Sequence, residues 1–342
     1  MDNVLPAAKE YALDLFLPVR EQAHNWLMLA YLSWSVFVLI DINGILSGLL
    51  EYMPVIYGAI LSFLGIYATS AYLCNIYVPI YSGLSLFGQR QWDMRIMSSI
   101  HAVVVTVGGA VAFFDSDLHE SPIETNSVVV KFVTSIFHGY SIFDSFLTIK
   151  YFDGNTPGGT AILIHHAMVV FISLFPLNTD KWGLPTSIYL MNEASTIFLN
   201  NIHFFKDLGI EKDGKLATYN SLTFAGVFFV FRIIGNTYIV VVLSLAGASA
   251  FGSTLELISC GGFAVAILAL NLFWFYRIVH GALKVFRGPH DSLQTALTDE
   301  LDLELGAKVS SDESDVNLEN EHDGWDEPDD ENDLLDEQNL HN

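Results

Sequence analysis

Apolar residues run along this chain in blocks near the length that a helix needs to cross a bilayer, about 20 residues. Eight blocks are read: 26–46, 54–78, 97–114, 128–149, 159–177, 184–204, 218–246 and 257–281. The third and fifth are short, and the first carries Asp41. Pro54, Pro79, Pro157 and Pro185 fall near block ends, where helices tolerate a missing N–H. Ahead of the first block, Val4, Ala8, Tyr11, Leu15 and Val19 share one helical face, which predicts an interfacial amphipathic helix. After Pro289 the pattern inverts: DESDVNLENEHDGWDEPDDENDLLDEQ is dense in like charge and poor in apolar residues, which predicts disorder. The expected organisation is an interfacial segment at 1–25, one transmembrane helix within 26–53, a membrane core over 54–285 and a disordered acidic tail at 286–342.

Charge sharpens this picture. The net charge of −23 is misleading, because residues 291–342 hold nineteen Asp and Glu against one basic residue, Lys308. The rest of the chain carries only −5, so the membrane core has no extreme field. Over half the residues are hydrophobic and the mean hydropathy is +0.42, values that point to an all-α integral membrane protein. The N-terminus begins acidic and lacks a basic region before an apolar core, so the first apolar block is expected to remain as an anchor.

Lys and Arg collect in cytosolic loops. With a cytosolic N-terminus and eight spans, Lys9, Arg20, Arg90, Arg95, Lys150, Lys206, Lys212, Lys215, Lys284 and Arg287 all fall on the cytosolic side. Only Lys131 and Lys181 fall on the other, where FFDSDLHESPIETN is acidic. Ten against two predicts eight spans with both termini in the cytosol.

Ionisable groups inside such spans are costly and usually face a protein interior or a wet cavity. Adjacent His165 and His166 sit in the fifth block and Glu193 in the sixth. Under the expected orientation, His101, His138, Tyr140, Asp144, Arg232, Asn236 and Asn271 fall at similar depth. Glu193, Thr196, Asn200 and His203 are spaced three or four apart, which puts them on one helical face. Six segments therefore converge on a polar cavity opening to the cytosol, with Glu193 or Asp144 as counter-ion for Arg232.

Adjacent histidines point about 100° apart on a helix, so one of the pair addresses a reacting atom and the other bonds sideways. A histidine tuned near neutrality serves as a general base or attacks a thioester carbonyl, with Asp144 or Glu193 orienting it. The His boxes of di-iron enzymes are absent, and no metal or cofactor is expected. Walker, dinucleotide and nucleophile-elbow motifs are also lacking, as is a basic stripe for nucleic acid. Cys74 and Cys260 fall near opposite faces of the membrane, which argues against a disulfide. In the tail, DENDLL (330–335) fits an acidic di-leucine sorting pattern and Ser310 precedes acids as a kinase site would, so sorting or trafficking machinery is a candidate partner.

Six motifs carry a family resemblance: RQWDMRIMSSIHA (90–102), FHGYSIFDSF (137–146), LIHHAMVVF (163–171), NEASTIFLNNIHFF (192–205), FFVFRIIGN (228–236) and NLFWFYRIVHG (271–281). In this order the chain resembles TLC-domain proteins over 54–285, most closely the small TLC domain-containing subgroup. The resemblance implies a TLC-type helical barrel around the polar cavity, with membrane lipids or a fatty-acyl donor as partners, lipid homeostasis as the setting, and the endoplasmic reticulum or another endomembrane as the location. Ceramide synthases share the His pair, so an acyl role is implied for His165 and His166, with acyl-CoA as substrate. Those enzymes carry His-Asp on the following helix, where this chain has Asn192, Glu193, Ala194, Ser195 and Thr196. Three function classes follow: a lipid-binding protein, an acyl-CoA-dependent acyltransferase, and a sensor or trafficking adaptor without catalysis.

Overall fold

In the computed structural model, residues 46–151, 159–211 and 214–287 are described. The interfacial segment, nearly all of the block 26–46 and the tail beyond 287 lie outside the described residues. Every regular element among the described residues is helical. The helices are α1 (Leu46–Tyr77), α2 (Leu86–Phe113), short α3 (Ser116–Glu120), α4 (Val128–Tyr151), α5 (Gly159–Asn178), α6 (Gly183–Met191), α7 (Ala194–Asp207), α8 (Lys215–Phe228), α9 (Asn236–Ala246), the single turn α10 (Thr254–Glu256) and α11 (Gly262–Arg287). Among the described residues, four stretches are long and apolar enough to cross a membrane: Gly48–Tyr77, Leu86–Phe113, Lys215–Ala246 and Thr254–His280.

Several helices depart from the apolar blocks in instructive ways. α1 begins before Pro54 and contains it, so the expected boundary between residues 53 and 54 falls inside one continuous helix. α2 starts eleven residues before the block at 97, because Arg90, Asp93, Met94, Met97 and His101 form one buried face at helical spacing. The charges in RQWDMR depress local hydropathy, yet they point inward. Asp93 is fully buried and accepts from Ser70 Oγ at 2.6 Å and Tyr81 Oη at 2.7 Å. Tyr81 lies in a one-turn 3-10 helix between α1 and α2. Burial first, and the neighbouring Asp93 second, push its phenol pKa well up and keep it a donor.

The block 184–204 is not one helix; it divides at Asn192–Glu193 into α6 and α7. Between α8 and α9 the chain widens into a π-helical turn, Phe229–Gly235. A second π turn, Leu257–Gly261, joins α10 to α11. Such turns often mark functional positions.

Packing follows small residues at crossings. A Cβ on Gly139 would lie 2.6 Å from Ile56 O, and one on Gly109 would lie 2.8 Å from Ser187 O. These glycines let α4 approach α1, and α2 approach α6, to backbone distance. The two ends of the bundle are fixed by cross-links. Leu49 N donates to Asn178 Oδ1 at 2.7 Å, Lys131 pairs with Asp180 at 2.6 Å, and Trp182 N donates to Ile123 O at 2.8 Å. At the opposite end Arg95 pairs with Asp207 at 3.0 Å, and Arg90 lies 5.3 Å from the Tyr151 ring centre. That second end also carries Lys150 and Lys206 in the last turns of their helices.

Candidate functional site

The helices enclose a cavity of about 650 Å3 whose wall is mainly apolar. Its volume is that of a small-ligand site, about 300–1,000 Å3. Two irregular turns create its polar region. At Asn192–Glu193 the backbone tightens to i→i−3 bonds, with Asn192 N on Tyr189 O at 3.1 Å and Thr196 N on Glu193 O at 3.0 Å. Opposite stands the π turn that carries Arg232. Its Nε donates to Asn192 O at 3.2 Å and to Ser195 Oγ at 2.8 Å, and Nη2 reaches Thr196 Oγ1 at 3.5 Å. Thr196 Oγ1 donates to Glu193 Oε2 at 2.9 Å, while Glu193 Oε1 lies 3.9 Å from Arg232 Nη2. Of the two carboxylates expected to balance Arg232, Glu193 is the one that does so.

Asp144 has a different partner. Its Oδ2 is 3.2 Å from His166 Nε2, and the Tyr140 hydroxyl, which also meets Ser98, is its second partner. Tyr140 lies flat against His101, with ring centres 3.6 Å apart and planes 9° from parallel. His101 is 1 % exposed and lines the cavity, yet neither ring nitrogen has a hydrogen-bond partner. His166 Nδ1 is likewise buried without one. His165 also lines the cavity, its ring centre 5.8 Å from that of His166 at a 53° tilt.

Eight of the thirteen residues singled out from sequence therefore share the wall: His101, Tyr140, Asp144, His165, His166, Glu193, Thr196 and Arg232. The other five are buried in helix seams. His138 Nδ1 bonds Ser173 Oγ at 2.7 Å, and Asn200 Nδ2 donates to Arg95 O at 3.2 Å and Ser99 Oγ at 3.0 Å. Asn236 Oδ1 accepts from Asn192 Nδ2 at 3.1 Å, and His203 and Asn271 are buried away from the wall. The polar stripe of α7 thus serves two purposes: its first turn faces the cavity, and its later turns hold α7 on α2.

Sequence reasoning passed over Ser98, Asn192, Ser195 and Trp182 on the wall. The polar doublet Asn192–Glu193 in an apolar block was the available signal for the helix break. Trp182 adopts a left-handed backbone at φ 74°, which is costly for a residue with a Cβ. Its indole Nε1 donates to Glu256 Oε1 at 2.9 Å, and Glu256 Oε2 accepts from Gly252 N. Lys181 Nζ stands 3.9 Å from the same carboxylate and bonds Ala250 O at 3.3 Å. Nothing in the sequence pattern announces this arrangement. Among the described residues no group of three His, Cys, Asp or Glu side chains is placed to hold a metal ion.

The family profile described as TLC domain matches residues 91–280, which include every polar residue of the cavity wall. The chain is 28 % identical over 223 residues to TLC domain-containing protein 4 of Xenopus tropicalis, covering 63 % of this chain and 84 % of that protein. The Homo sapiens protein of the same name is 26 % identical over 215 residues, covering 60 % and 80 %. An uncharacterized TLC domain-containing protein of Schizosaccharomyces pombe is 24 % identical over 233 residues, covering 64 % and 75 %. No solved structure matches the chain.

Proposed function

Because this chain belongs to the TLC-domain family of membrane proteins, we propose that it binds a lipid or fatty-acyl group in its intramembrane cavity and acts in lipid homeostasis. One observation carries the reading: an apolar cavity of about 650 Å3 surrounds buried polar atoms that the protein itself leaves without partners. An unpaired buried polar group costs about 1–3 kcal/mol. A ligand with an apolar chain and a polar group offsets that cost while filling the apolar wall. The positive-inside pattern supports eight spans with cytosolic termini, and the family resemblance supports an endomembrane location.

A second reading, acyl-CoA-dependent acyl transfer, is favoured by the His166–Asp144 contact at 3.2 Å. An ionised Asp144 accepts the Nε2–H, which fixes the tautomer and puts the basic lone pair on Nδ1. Attack of an imidazole nitrogen on a thioester would form an acyl–imidazole bond as the C–S bond breaks and the thiolate leaves. An amine or hydroxyl acceptor would then take the acyl group and give its proton to the imidazole. His165 stands as the alternative nucleophile, and Glu193 as the second supporting carboxylate.

Extraction and mass spectrometry of lipid from the purified protein, with peptide mapping of His165 and His166, tests both. Bound lipid without a histidine adduct supports binding alone. A histidine adduct formed from labelled acyl-CoA and lost in His166→Ala or His165→Ala supports transfer. Neither lipid nor adduct overturns both readings.

A further inference from the structure

Among the described residues, the cavity wall passes from α5 to α11 without extensive packing between these two helices. α5 packs on α4 and α1, whereas α11 packs on α9, α8 and the Phe229–Gly235 turn. These two helices end the two packed series, and both supply cavity wall: Val169 and Ile172 from α5, and Ile267, Leu270, Phe273 and Trp274 from α11. Phe273 lines the cavity and is 51 % exposed, which puts it on the border between wall and outer surface. The flanking exposed side chains are Met168 on α5 and Leu272 and Tyr276 on α11, mostly apolar, and the α11 residues fall within the membrane-crossing stretch Thr254–His280. An opening bordered this way meets hydrocarbon rather than water.

We propose that the space between α5 and α11 is a portal through which one acyl chain of a diacyl bilayer lipid passes sideways into the cavity. The inference rests on the lipid-binding reading above and gives it a route and a substrate class. A slit of this kind admits one chain while the second stays in the bilayer, so the lipid need never enter water. His165 and His166 lie on α5, the portal's own helix, and stand beside the incoming chain.

The full chain, reconstituted in phosphatidylcholine vesicles containing a diacyl phosphatidylcholine with a diazirine midway along one chain, provides the test. After irradiation the expected labels fall on the portal residues Val169, Leu270 and Phe273 and on Tyr189 inside. Val169→Trp should lower the labelling of Tyr189 at least fivefold, with the melting temperature used to confirm folding. Phe273→Trp provides a second obstruction from the other side. Tyr189 labelling unchanged in both folded variants overturns the portal and leaves the cavity reading standing. Labels confined to outward residues such as Val107 and Val111, with no co-purified lipid, overturn the portal together with the reading beneath it.

Discussion

Glu256 and Asp144 are both carboxylates buried in an apolar bundle, and their surroundings differ in kind. Glu256 is held by the Trp182 indole and the Gly252 amide, with Lys181 standing 3.9 Å away. Those bonds tie the turn before α6 to the start of α10. Asp144 is paired with His166 at 3.2 Å and with the Tyr140 hydroxyl, and the unpartnered atoms sit on those partners and beyond: His166 Nδ1, and both ring nitrogens of His101, which stacks on Tyr140. A saturated buried charge stabilises a fold, whereas an unsaturated cluster beside a ligand-sized void awaits a partner. Burial alone would not have separated the two; the unpartnered atoms around Asp144 do.

This contrast can be broken most forcefully at Glu256. Glu256→Ala leaves the Trp182 indole N–H and the Gly252 amide N–H without their acceptor, and each buried donor left unpaired costs about 1–3 kcal/mol. A large fall in melting temperature in detergent is expected, with Glu256→Gln recovering part of it and lipid per folded molecule unchanged. The converse holds on the cavity wall. His166→Ala should alter stability by about 1 kcal/mol while lowering lipid retention or acyl turnover by about tenfold or more, a free-energy change of about 1.4 kcal/mol. A His166→Ala variant that unfolds as readily as Glu256→Ala would remove the distinction.

A smaller effect is expected in the seam between α7 and α2. Asn200→Ala loses its bonds to Arg95 O and Ser99 Oγ, for about 1 kcal/mol of stability, and should leave lipid retention intact as measured by extraction. The smallest lies at the exposed Lys131–Asp180 pair. The hydrogen bond from Lys131, and then its charge, hold Asp180 below the usual carboxylate range. Its contribution is therefore present above the ordinary aspartate pKa near about 4 and is lost as pH falls through the lower folded value. An exposed pair of this kind is worth about 0–1 kcal/mol. Melting curves of the wild type and Lys131→Met should converge in acid and separate slightly at neutral pH.

The all-helical architecture was legible because block length is a strong signal, and His165, His166, Asp144 and Glu193 were legible because charge in hydrocarbon is rare. The limits had physical causes. Hydropathy stops at Arg90 and Asp93 although the helix continues, since their charges face inward. Depth and face could be inferred for Asn200, His203 and His138, but a polar side chain at the right depth can be spent on a neighbouring helix. The break at Asn192–Glu193 and the π turn at Arg232 are backbone events that create each other's hydrogen-bond partners. Neither is visible until both are in place. Trp182 and Glu256 meet across 74 residues, a pairing no local pattern encodes.

The most direct test is native mass spectrometry of the full-length protein released from membranes in mild detergent, comparing wild type, His166→Ala and Asn200→Ala. The expected result is a lipid-mass adduct on the wild type and Asn200→Ala that is strongly reduced in His166→Ala. A wild-type protein that is folded and carries no adduct, or an adduct lost equally from both variants, would contradict the claim that the unsatisfied wall of the cavity serves a lipid.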